Sequence, residues 1–585
     1  GGVPIIDNVQ NPIIGDSEGI HLVVPRSSTK ECIDFICKDL QTAADYLPAR
    51  WESENKNFGR ITSGAALALK GRVELLYASP LFNRADDVTR WETAYQTNLA
   101  AVKKLEEGNF GLAYENNSGK NAAGWGKIFS DYIGSEGGGG TVSEAVLVTL
   151  YNNVSPAEHL QLEKWNGWEH SLRPANAGGG GGMTPTAEMV DLFPMADGKK
   201  PNDMNGSYDY NQELFFLNRD PRFYRTFAFP GVEWKFDSDD LKSFGEKGQL
   251  PYGINGYTTG NNYKLWNYCW YDNVDDRNSN SKSGYAADCL GTKNTGIYLR
   301  KRTDDLALNS NPLYIFEKTS GNGFRQSAAP YMEIRFAEVL LNYAEAACGA
   351  NHFDEAVNAL KRIRKRVGYT DNCGLDPAIF NDRAKLFEAI LYERQIELAY
   401  EGKRFHDVRR WMLFDGGVGQ EALKSTWKLT GFNGNTCNYL GVEPLNGQRR
   451  HRIEVYAKNF IAAKSNNVYN EDKTIKETYD ELWNKRPTAL SLTEDITCTE
   501  SADDEITYAD AKVKALAQFY QEHFKRKNLS TDGNDETILP TFKPYYYILG
   551  FKKNAMQNNV SLEQNIGWGD YWRGGADGTF DPLAE

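Results

Sequence analysis

Glu393, Glu397 and Glu401 recur at every fourth position in a charged stretch that runs from Glu393 to Trp411. On one helical face this spacing sets their Cβ atoms roughly 5 to 6 Å apart, close to the separation of the acid and nucleophile in retaining glycoside hydrolysis. Such a pair also needs a cleft and surroundings that split the two pKa values, and nothing in the flanking sequence supplies either. Charge balance gives a simpler reading. Stacked carboxylates repel unless countered, and Arg394, Arg404, Arg409 and Arg410 stand nearby, so a salt-bridged helix-turn-helix that specifies geometry is expected. The basic run Lys361-Arg362-Ile363-Arg364-Lys365-Arg366 is expected on a solvated face, an anionic partner being its other reading.

Ligand-binding chemistry is best suggested by the aromatic run Leu265-Trp266-Asn267-Tyr268-Cys269-Trp270-Tyr271, with Trp234 and Tyr257 upstream. If extended, it places Trp266, Tyr268 and Trp270 on one face at intervals of about 7 Å. That is a platform for the apolar faces of sugar rings, and Asn261, Asn262, Asn267 and Asp272 could hydrogen-bond hydroxyls. The competing reading is core packing, in which Tyr and Trp bury their rings and keep a polar tip wet.

Other chemistries lack their patterns. Gly137 to Gly140 and Gly178 to Gly182 are not followed by Gly-Lys-Ser/Thr, so they read as surface loops. The seven histidines show no metal-ligand spacing, and no Gly-x-Ser-x-Gly elbow occurs. Asp272, Asp275 and Asp276 miss the calcium-loop spacing. Eight cysteines form no C-x-x-C pair, and Cys32 and Cys37, about 140° apart on a helix, are not expected to bond to each other. No catalytic residue, cofactor or metal is therefore expected.

The 585 residues carry a net charge of −13, with 40% apolar and 12% aromatic residues, which is globular composition with an aromatic surplus. The acidic balance argues against a nucleic-acid partner, which a basic face would attract. No run approaches the roughly 18 apolar residues of a membrane-spanning helix. Gly1-Gly2-Val3-Pro4 has no targeting character and reads as an internal start, with upstream sequence missing.

The elements that must position these residues are helical at both ends of the chain. Ser28 with Glu31 forms a capping box before Ile33, Ile36, Leu40, Ala44 and Leu47, and Pro48 stops the helix. A second helix, rich in Ala and Gly, runs through Ala65, Leu69, Val73 and Leu76, which lets a neighbour approach closely. Residues 334 to 367 span 34 positions, the tetratricopeptide period: Ile334 to Cys348, a break at Gly349-Ala350-Asn351, then Phe353 to Val367. Residues 111–330 and 416–500 are irregular, and a further helix covers Ala509 to Phe524. The expected fold is mainly α: a remainder of an N-terminal helical region (1–110), a loop-rich lobe with short strands (111–330), a tetratricopeptide-like scaffold (331–415) and an irregular and helical C-terminal region (416–585).

In chain order, several segments resemble the SusD/RagB family of surface nutrient-binding lipoproteins. They are Gly1-Gly2-Val3-Pro4, Gly59-Arg60-Ile61-Thr62, Met183 to Phe193 with Asp197-Gly198, Arg219-Asp220-Pro221-Arg222-Phe223-Tyr224, Ile334 to Ala346, the Glu393 to Trp411 stretch and Leu562 to Trp568. The resemblance implies a SusD-like scaffold of tetratricopeptide-like helical pairs and a binding protein, not an enzyme. It further implies an oligosaccharide ligand, or a peptide as in the RagB branch, and a SusC-like TonB-dependent transporter as partner. The protein would sit at the outer-membrane surface through an N-terminal lipidated cysteine upstream of Gly1. The family's motifs do not fix the variable insertion, so the candidate ligand-binding residues remain those of the aromatic run, Trp266, Tyr268, Trp270, Trp234, Tyr257 and Asn267.

Overall fold

A computed structural model describes residues 1–9, 24–119, 122–130, 142–153, 164–173, 179–180, 182–234, 263–264, 270–271, 296–303, 311–316, 324–413, 451–457, 468–469, 475–477, 487–492, 511–529 and 543–584. Its principal helices are α1 (Thr29–Tyr46), α2 (Ser63–Ala78), α3 (Val88–Glu107), α4 (Phe336–Gly349), α5 (Phe353–Arg366), α6 (Arg383–Glu397), α7 (Arg404–Arg410) and α8 (Ala511–His523). The strands are short. They include β1 (Ala145–Thr149), β2 (Phe227–Ala228), β3 (Glu233–Trp234), β4 (Tyr263–Lys264), β5 (Trp270–Tyr271), β6 (Tyr298–Leu299), β7 (Tyr331–Arg335), β8 (Arg452–Ala457) and β9 (Phe524–Leu529). The molecule is mainly helical, as the sequence predicts.

Helix α1 starts as its capping box requires: Ser28 Oγ accepts from the Glu31 backbone N–H, and the Glu31 carboxylate accepts from that of Ser28. Helices α1 to α4 pack in sequence, α1 on α2, α2 on α3 and α3 on α4, while α4 also holds α5 and α6. Two glycines permit the close spacing. A Cβ on Gly71 would lie 2.4 Å from Asn98 Oδ1, and one on Gly349 would lie 2.2 Å from Trp91 Cδ2. Asn98 donates to the Gly71 and Ala94 carbonyls instead. The hairpin of α4 and α5 bears out the 34-residue period, with one shift. Ile334 belongs to β7, where it pairs with Leu147 of β1 in an antiparallel ladder.

Two cores result. One joins α2 to α6 through Leu75, Trp91, Leu340, Leu360 and Phe387. The other is aromatic, with Phe193, Phe215, Phe216, Phe227, Phe229, Trp234, Tyr520 and Phe524 packed mostly edge to face. It lies beneath the antiparallel ladder of β8 and β9, which β5 extends in parallel. Helix α6 serves both: Leu386, Phe387, Ile390 and Leu391 enter the first core, Tyr392 and Ile396 the second. This two-sided burial explains why the C-terminal half of α6, from Ile390 to Glu397, is buried on every side.

Candidate functional site

Between the two apolar faces of α6 lie Glu393 and Glu397, and both are fully buried. Glu401 follows after the helix has ended, because the chain turns through Tyr400 at φ +60°. The counter-charges are not the local arginines that the spacing suggests. Arg222 Nη2 reaches Asp220 Oδ2 at 2.8 Å, and its Nη1 reaches Glu397 Oε2 at 2.9 Å and also touches Glu393. Arg364 Nη1 reaches Glu393 Oε2 at 3.0 Å. Arg335 bridges Glu144, Glu397 and Glu401, each at 2.7 Å, and Arg366 joins Glu144 to Glu397. Lys301 Nζ lies 2.6 Å from Glu401 Oε1 and donates to the Glu397 and Ala399 carbonyls, both at 2.9 Å, so it also caps the C-terminus of α6.

Five carboxylates thus meet five cations, with no side chain more than 2% exposed. Burial raises the Glu397 pKa, but Arg366, Arg335 and Arg222 outweigh it and hold the group well below the carboxylate range. For Glu401, burial is likewise outweighed, by Arg335 and Lys301, and its pKa falls to about 2. A carboxylate so firmly ionised cannot donate a proton at neutral pH. The arrangement is a structural charge lock, not an acid and nucleophile.

Two expectations are corrected here. Arg394 and Arg410 serve Asp407 and Glu345, Arg404 serves Gln395, and Arg409 donates to the Tyr547 carbonyl. The basic run on α5 is not uniformly solvated, since Arg364 and Arg366 turn inward to the lock while Arg362 stays outside with Glu115 and Glu106. Asp220-Pro221-Arg222 gains a reason. Asp220 caps the helix Pro221–Thr226 by accepting from the Arg222 N–H, Pro221 fits the first turn, and the same carboxylate holds the Arg222 guanidinium. Cys32, Cys37, Cys348 and Cys373 are free.

Of the proposed platform, Trp266, Tyr268, Asn267 and Tyr257 lie outside the described residues, as do Asp272, Asp275 and Asp276. Trp270 falls in β5, opposite Tyr456 of β8. Trp234 is enclosed in the aromatic core with no exposed surface, and the Arg173 guanidinium lies 5.3 Å from its ring centroid. It belongs to packing rather than to a surface platform.

A cleft that the sequence reading did not single out opens beside the lock. Its walls include Phe129, Asn166, Trp168, Arg302, Tyr314, Ser327, Met332 and Glu401. Trp168 Nε1 donates to the Lys301 carbonyl at 3.0 Å, and Asn166 spans the Ala329 carbonyl and the Trp168 N–H. Arg302 sits at φ +65° with its guanidinium 3.9 Å from the Trp168 ring centroid and 5.0 Å from that of Tyr331. The signal was present: Arg300-Lys301-Arg302 directly follows the apolar strand β6. Among the described residues no group of His, Cys, Asp and Glu is arranged to hold a metal ion.

Residues 126–568 match the SusD family, and the chain belongs to it. Proteins of this family are non-catalytic binding proteins. A SusD-like protein P2 from Formosa agariphila is 34% identical over 131 residues, 20% of this chain and 25% of that relative, so the match spans about a quarter of the relative's length. A crystal structure of a SusD-like protein from Bacteroides fragilis aligns over 97% of this chain and 76% of its own, with a TM-score of 0.54 and 21% identity. The structure named BT4246 aligns over 96% and 80%, with a TM-score of 0.56 and 17% identity. Both likenesses concern the fold.

Proposed function

We propose that this protein captures oligosaccharides at the cell surface and delivers them to a SusC-like TonB-dependent transporter of the outer membrane, to which it is held close by an N-terminal lipid anchor. The observation that carries the reading is membership of the SusD family over most of the chain. Two features support it. The densest carboxylate cluster is committed to the buried lock and is unavailable for hydrolysis. Aromatic side chains, the groups that stack on sugar rings, line the cleft at Trp168 and Tyr314, and aromatic and amide residues recur in the insertion at Trp266, Asn267, Tyr268 and Trp270.

Calorimetric titration against a panel of oligosaccharides tests the reading. Saturable binding without any shortening of the glycan is expected, together with co-purification of a TonB-dependent transporter from native membranes. Absence of binding across the panel, or turnover of a glycan by the purified chain, would overturn it.

A further inference from the structure

The Arg302 guanidinium differs from every cation of the neighbouring lock. Its Nε is buried without a hydrogen-bond partner, and it forms no ion pair among the described residues. The nearby carboxylates are already taken, Glu401 by Arg335 and Lys301, and Glu169 by Arg173. Its orientation is nonetheless fixed, by Trp168 on one ring contact and Tyr331 on another. A left-handed backbone at a non-glycine residue is disfavoured and persists where the surroundings impose it. Burial pushes its pKa down, and the charge of nearby Glu401, already paired with Arg335 and Lys301, offsets this only in part.

We propose that Arg302 receives the carboxylate of an acidic, uronate-bearing oligosaccharide in this cleft, an assignment that rests on the glycan-binding reading above. A planar guanidinium packed against rings offers parallel N–H donors that match a carboxylate bidentately. Asn166 and Ser327 line the same cleft, and their side chains are held by protein partners, Asn166 by the Ala329 carbonyl and the Trp168 N–H and Ser327 by the Phe324 carbonyl, so the guanidinium is the group left to meet a ligand. The net charge of −13 gives the chain no general attraction for anions, so selectivity for a uronate must arise locally.

The test is calorimetry of the full chain with a uronate oligosaccharide and with the same oligosaccharide after reduction of its carboxyl groups. The expected result is at least about ten-fold tighter binding of the acidic form, lost in Arg302→Met and largely lost in Arg302→Lys, with melting temperatures recorded to show that both variants fold. If Arg302→Met does not fold, Arg302→Lys carries the test, because it keeps the charge and loses the fork. Equal affinity for the acidic and reduced forms overturns the Arg302 assignment while leaving glycan binding intact. Preference for a peptide with a free C-terminus over its amide, without uronate binding, overturns the ligand class. Failure to bind either glycan overturns the assignment, and whether the broader panel also fails decides the reading beneath it.

Discussion

Arg222 Nη1 donates to Glu397 Oε2 at 2.9 Å across 175 residues of chain, and neither side chain touches solvent. The pair links the aromatic lobe to the helical scaffold. Desolvation of two ions is costly, so such contacts survive where partners on every side satisfy them, as Arg335, Arg366 and the Lys301 ammonium do here.

Removing one charge from this lock should therefore be severe. Glu397→Gln strands parts of Arg222, Arg335 and Arg366, and a loss of roughly 3 to 5 kcal/mol is expected. Urea denaturation measures it. A variant as stable as the parent would mean that the lock is not formed.

Acid should loosen the fold in a defined window. Glu401 is held at about 2 in the folded protein against an ordinary value of 4.5, so the unfolded chain takes up the proton first. Its stabilisation is fully present above about pH 4.5 and is lost as pH falls toward 2. Melting temperatures across that range should drop, and Glu401→Gln should flatten the part of the slope that this residue supplies. Lys301 acts in the opposite sense. Burial depresses it from 10.5 to about 8, a penalty that is present below pH 8 and relieved as pH rises through 8 to 10.5.

Gly349→Ala should destabilise despite alanine's better helix propensity of about 1 kcal/mol. The added methyl would meet the fully buried Trp91 ring, which is hemmed in by Phe387 and Trp411. A net loss of about 1 to 3 kcal/mol is expected from overpacking. Thermal unfolding of the single variant would show it, and a neutral or stabilising result would place Trp91 elsewhere.

The insertion is tested separately from the frame. Trp266→Ala with Tyr268→Ala should weaken oligosaccharide binding by about ten-fold, roughly 1.4 kcal/mol, while the melting temperature stays unchanged. Calorimetry and a thermal scan on one preparation distinguish loss of a binding surface from loss of packing. Unchanged affinity would remove these rings from the site.

Much of the scaffold was legible because its signals are local. Ser28 and Glu31 are three residues apart, and the break at Gly349 to Asn351 divides two periodic runs. The partners of Glu393, Glu397 and Glu401 were not, because helical spacing names only near neighbours. Arg222, Arg335, Arg364 and Arg366 arrive from other elements, and the turn at Tyr400 takes Glu401 off the helical face. Trp234 misled for a related reason: an aromatic beside polar loops looks the same in sequence whether its ring faces water or a core. Arg302 escaped notice because an unpaired guanidinium is defined by what its neighbours already hold.

Helix α6 gives each core part of its surface, so melting it would strip both at once. The scaffold and the aromatic lobe should consequently lose their structure in one cooperative calorimetric event, and a protease would find no half-open intermediate in which one survives intact beside the other.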